Sequence, residues 1–138
     1  MVKTETIGMI ETAKVNPVIT SDVDVMNYSF VNHDEDVYLV ANTLAGDDCY
    51  KEDVVIKAGE YLNGYLVKAW EGQKLVIDKK HIDAGEGYDA IMADTILTVE
   101  ADGTLTVASV APATGVYFKV TEKCTLTEQA VKAKIVVA

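Results

Sequence analysis

A mainly β chain, folded as a single-domain β-sandwich or barrel with an extended N-terminal arm and at most one short helix, follows from three features of the sequence. First, 42 of the 138 residues are Val, Ile or Thr, whose branched side chains suit a pleated surface better than a helix. Second, apolar and polar residues alternate in several short runs, the period of a strand with one wet face. Third, Gly, Asp and Asn punctuate these runs, whereas the only prolines are Pro17 and Pro112. No fixed-period repeat, low-complexity tract or linker divides the chain, so residues 21–138 read as one β-rich domain behind an arm of residues 1–20. At 14.9 kDa such a domain can bury a real core.

In chain order, residues 1–20 carry scattered apolar positions without a clean period, hence the extended arm. Asp36–Ala41 and Asp53–Ile56 read as strands separated by the polar cluster Gly46-Asp47-Asp48. Tyr61–Trp70 fits both a helical stripe and an alternation. The flanking Gly59, Gly64 and Gly72, with Leu75-Val76-Ile77 following, favour strand, turn and strand around Glu71-Gly72. Over Ile96–Val107 the register itself can be derived. A two-residue Asp102-Gly103 loop would set Val99 opposite Thr106 and mix the faces. A three-residue loop, Ala101-Asp102-Gly103, pairs Val99 with Leu105 and Leu97 with Val107 on one face, and Thr98 with Thr106 on the other. Gly103 then takes the left-handed position of the loop. Val116–Val120 alternates and is expected as the third strand of a meander. Thr125–Glu128 matches a capping box and predicts one helical turn. Val131, Ala133, Ile135 and Val137 alternate with Lys132 and Lys134, a C-terminal strand with Lys on its wet face.

Charge narrows the function classes. The 12 basic residues, all Lys, face 22 acidic ones, a net charge of −10. A chain without Arg and so acidic is expected to bind neither nucleic acid nor an anionic membrane. No apolar run reaches the length of a membrane span, and Met1-Val2-Lys3-Thr4-Glu5 has no signal-peptide core, so synthesis in a cytoplasm is expected. Cys49 and Cys124 suit reduced thiols rather than a disulfide framework or zinc site. His33-Asp34 and His81-Ile82-Asp83 are the imidazole and carboxylate pairs a general base would use, but no nucleophile elbow accompanies them, and solvated turn histidines are expected. Asp22-Val-Asp24 and Asn32–Asp36 gather oxygen ligands without continuing into a calcium loop, so an acidic solvent-facing surface is expected there. Acidic neighbours would raise rather than lower the Cys49 thiol pKa. Gly85-Glu-Gly-Tyr88 lacks the third glycine of a dinucleotide fingerprint. No catalytic residue, cofactor or metal ligand is therefore expected.

Two stretches carry a resemblance. Ala58–Ile77 (AGEYLNGYLVKAWEGQKLVI) and the ending Gly115–Lys123 with Ala130–Val137 resemble the head decoration, or cement, proteins of tailed bacteriophages, over about the C-terminal 80 residues. The resemblance implies a non-enzymatic virion protein that is made in a bacterial host cytoplasm, binds the capsid exterior where capsomers meet, and forms a homo-oligomer, a trimer favoured. Its partner would be the major capsid protein. Strong negative charge suits an outer surface, away from packaged DNA. The arm from Met1 to Asn16 offers Val2, Thr4, Thr6 and Ile7 for strand addition to a neighbouring sheet edge. The alternatives are a phage tail-tube or baseplate protein and a calcium- or carbohydrate-binding β domain.

Overall fold

A computed structural model describes residues 2–4, 19–42, 54–83, 87–125 and 129–138. Eleven strands are formed by these residues: β1 (Val2–Thr4), β2 (Val25–Met26), β3 (Phe30–His33), β4 (Asp36–Val40), β5 (Val55–Ile56), β6 (Gly64–Leu66), β7 (Lys74–Asp78), β8 (Ile96–Val99), β9 (Leu105–Ala108), β10 (Val116–Thr125) and β11 (Gln129–Val137). The fold is mainly β, no helix among the described residues reaches seven residues, and the sheets do not close into a barrel. Six strands join in the order β1-β7-β11-β10-β8-β9, three in the order β3-β4-β6, and β2 pairs with β5.

Alternation in β4 explains how the sheets stack. Val37 and Leu39 join Phe30, Trp70, Leu97 and Phe118 in one hydrophobic cluster, while Tyr38 and Val40 join Ile19, Val25, Ile56 and Leu62 in a second. Successive side chains of a strand point to opposite faces, so the three-stranded sheet has apolar neighbours on both sides. It lies between the six-stranded sheet and the β2-β5 ribbon. This also explains why Val37–Val40 reads as a continuous apolar run rather than an alternating one.

The β8–β9 hairpin has the derived register: Leu97 faces Val107, Thr98 faces Thr106 and Val99 faces Leu105. Gly103 has φ +88°, and its N–H donates to the Glu100 carbonyl. The C-terminal strand also runs as expected, with Val131, Ala133 and Ile135 buried and Lys134 exposed.

Other expectations change. In the meander, β10 would lie beside β9, but it pairs with β8 through Tyr117↔Thr98, Phe118↔Leu97 and Lys119↔Ile96. The 109–115 connection therefore runs back along β8 before β10 begins. This choice sets Phe118 against Leu97 and leaves β9 at the sheet margin. Tyr61–Trp70 combines both of its readings: β6 is followed by a 3-10 turn over Val67–Trp70. Residues three apart eclipse in such a turn, and Val67 and Trp70 both enter the core. β6 and β7 belong to different sheets, so the turn at Glu71-Gly72 moves the chain between layers. The described ends of the expected arm belong to the body, since β1 pairs with β7 and buried Ile19 bridges to Leu62. Residues 5–18, the Gly46–Asp48 cluster, Cys49 and the turn expected at Thr125–Glu128, apart from Thr125 in β10, lie outside the described residues.

Candidate functional site

A cavity of about 520 Å³ opens where the 20–26 segment, β3, the 3-10 turn Lys79–His81 and the β8–β9 loop meet. Its size is that of a small-ligand site. The local fold engages much of the polar lining. Asp102 accepts hydrogen bonds from the Thr104 hydroxyl at 2.7 Å and the Thr104 N–H at 3.0 Å, which hold its carboxyl below the usual carboxylate range. This is the turn chemistry that shapes the hairpin loop. Asp24 accepts from the Ala58 N–H at 2.9 Å and lies 3.5 Å from Lys57 Nζ, and these contacts lower its pKa. Asn32 donates to the Glu100 carbonyl at 2.7 Å, and Ser29 to that of Met26 at 2.6 Å. These groups tie loops together, and their hydrogen-bonding capacity is largely directed at the chain itself.

The two histidines differ. His33 fits the expectation of a surface turn, its Nε2 3.3 Å from an Asp34 carboxylate that is 89% exposed. His81 does not. Its Nε2 is buried with no hydrogen-bond partner among the described residues, and burial pushes the ring pKa down to about 4, aided by Lys80. His81 lines the cavity and His33 does not. The sequence hid this difference because both lie in similar polar stretches. The one signal was Ile82, a bulky apolar residue directly after His81 that enters the core and draws its neighbour inward.

Among the described residues, no three His, Cys, Asp or Glu side chains gather closely enough to hold a metal ion. Cys124 is a partly buried free thiol on β10 whose pKa is raised, chiefly by burial. Tyr88, read in the sequence as part of a glycine loop, is buried. Its hydroxyl donates to the Ala130 carbonyl at 3.2 Å, and Lys123 Nζ sits 4.6 Å from its ring centroid, so it anchors β11.

Of the four residues singled out for partner binding, Val2 is 1% exposed and belongs to the core. Its side chain therefore cannot touch a partner. Its N–H donates to the Tyr28 carbonyl at 3.0 Å. Thr4 pairs with Leu75 at the sheet margin, and Thr6 and Ile7 lie outside the described residues. Both margins of the six-stranded sheet are short strands, β1 and β9, and Ile82 bridges to β9 only at Leu105. Exposed apolar side chains lie at and beyond β9, with Val107 44% and Val110 75% exposed.

No helix among the described residues is long and apolar enough to cross a membrane. No family model matches the chain, and no curated protein or solved structure matches it significantly.

Proposed function

We propose that the chain is a structural virion protein that binds the outer surface of a tailed-phage capsid, stabilises contacts between capsomers and catalyses no reaction. The observation that carries this reading is the position of the resembling stretches. Ala58–Ile77 supplies β6 and β7, and the C-terminal stretch supplies β10 and β11, so they build adjacent strands of the main sheet and its link to the middle layer. Among the described residues, the outer side of β9 is bridged only at Leu105, by Ile82, while that of β1 is engaged at Val2, whose N–H donates to the Tyr28 carbonyl. A strand edge with unpaired backbone groups binds an extended partner segment through main-chain hydrogen bonds, and the partner here is the major capsid protein.

The test is co-sedimentation with undecorated phage capsids. Deleting residues 1–16 would remove buried Val2 and part of the fold, so docking is tested by Thr6→Asp and Ile7→Asp and, at the β9 margin, by Val107→Lys. Saturable binding that one of these substitutions weakens supports the reading. Absence of binding to any capsid, with the protein folded, rejects it.

The cavity favours a second reading, a small-ligand-binding β domain. Stabilisation of the melting transition by a sugar or by calcium, through binding to the native state alone, is the result that reading requires.

A further inference from the structure

The outward face of the six-stranded sheet carries an unusual row. The register sets Lys74 on β7 opposite Lys134 on β11, and Lys134 opposite Lys119 on β10. Direct cross-strand neighbours have Cβ atoms about 5 Å apart, so three lysines cross three adjacent strands side by side. Lys119 reaches Asp94 at 3.5 Å. Lys74 and Lys134 have no anionic partner among the described residues. Like charges placed directly opposite destabilise a sheet. In a chain of net charge −10 the row reverses the local sign.

A complementary feature belongs to another layer. β3 and β4 are joined by the two-residue loop Asp34-Glu35, with His33 opposite Asp36. Both loop residues are left-handed, at φ +49° and +68°, as a type I′ hairpin requires, a position usually filled by Asn or Gly. Both are exposed, while Asp36 at the base is held by Lys68 at 3.0 Å. The result is a narrow acidic tip. It rises from the sheet packed against the inner face of the six-stranded sheet, whereas the lysines line the outer face. Tip and row thus belong to different layers, and their pairing joins one copy to the next.

We propose that the chain self-associates head to tail, the Asp34-Glu35 tip of one copy seated on the Lys74–Lys134–Lys119 row of the next. Such a contact uses two different patches, so repetition closes a ring or extends a filament. The proposal does not depend on a capsid, and its failure would leave the capsid reading standing.

The experiment is sedimentation velocity of the full chain at about 20 mM and about 500 mM salt, where screening lengths differ several-fold. It covers the native chain, K74E/K134E, D34K/E35K and an equimolar mixture of the two variants. The neutral variant D34N/E35Q, with Asn suited to the left-handed turn, guards against a misfolded tip, and thermal melts confirm folding. The native chain is expected to sediment above its 14.9 kDa monomer mass at low salt and as a monomer at high salt. Each variant alone should associate at least tenfold more weakly, as for close interfacial charge pairs. The mixture should regain association, because each reversed patch meets its complement. A native chain monomeric at low salt, folded variants that associate unchanged, or a mixture that stays monomeric overturns the proposal. Unchanged association would place the contact elsewhere, as at the β9 margin.

Discussion

The buried Nε2 of His81 makes the fold sensitive to acid. Its folded pKa, about 4, lies below the unfolded value of about 6.5, so the unfolded chain binds the proton more readily. The contribution to stability is present above pH 6.5 and is lost as pH falls toward 4. The full shift corresponds to about 3 kcal/mol, and partial exposure of the ring reduces this to about 2 kcal/mol. Urea melts at pH 6.5 and 5.0 should show the native chain losing markedly more stability than His81→Phe, which fills the same space without a titrating group. Equal losses in the two proteins would place the acid sensitivity on the carboxylates. Glycines offer a second contrast. Gly103 is left-handed, and a Cβ there would meet the Phe30 carbonyl oxygen, whereas Gly72 at φ +85° has nothing within 4 Å. Gly103→Ala should therefore cost about 3 kcal/mol or more and Gly72→Ala about 1 kcal/mol, read as shifts of the denaturation midpoint.

Among the elements, the central strand β11 carries the clearest conflict. Lys134 stands between Lys74 and Lys119, so Lys134→Glu converts two like-charge neighbours into two opposite-charge pairs. It should raise stability by about 0.5–1 kcal/mol at low salt and by less at high salt. A destabilised variant would mean that the row is not as close as its register implies. Strands were legible in the sequence where one face is wet. Leu97 to Val107 disclosed its pairing because only the three-residue loop sets Leu105 opposite Val99 and Thr106 opposite Thr98, and Val131 to Val137 disclosed its wet face, though not its partner strands, through its interleaved lysines. The partner of β10 was not legible, because either margin of the β8–β9 hairpin offers an apolar row and local sequence does not say which is free. Trp70 was ambiguous because a 3-10 turn buries residues three apart, close enough to a helical stripe to imitate one. The cavity was illegible for a related reason: it joins residues 20–26 and 29–32 to Lys80, His81 and residues 101–104, a meeting set by sheet stacking.

For the whole molecule, the decisive question is whether the stacked layers unfold as one unit. Two apolar clusters exist, and β4 contributes to both, with Leu39 in one and Val40 in the other. Neighbouring residues on one strand cannot lose their backbone geometry separately, so melting of either cluster should release β4 and with it the other cluster. The only tryptophan in the chain, Trp70, reports from the first cluster, where it is 1% exposed and stacked with Tyr65 at 6.4 Å between ring centroids. Val40→Ala removes two methyl groups from the second cluster and should cost about 2 kcal/mol, and Leu39→Ala should cost about 3 kcal/mol in the first. If β4 couples the layers, Val40→Ala moves the Trp70 fluorescence transition by as much as it moves the far-ultraviolet circular dichroism transition, and both stay single and coincident. If the β2-β5 layer melts alone, Val40→Ala leaves the Trp70 midpoint in place and splits the dichroism curve into two steps. That second outcome would make the β2-β5 ribbon, with the 20–26 wall of the cavity, a separately opening lid. Coincident transitions would make the cavity a fixed feature of the folded protein.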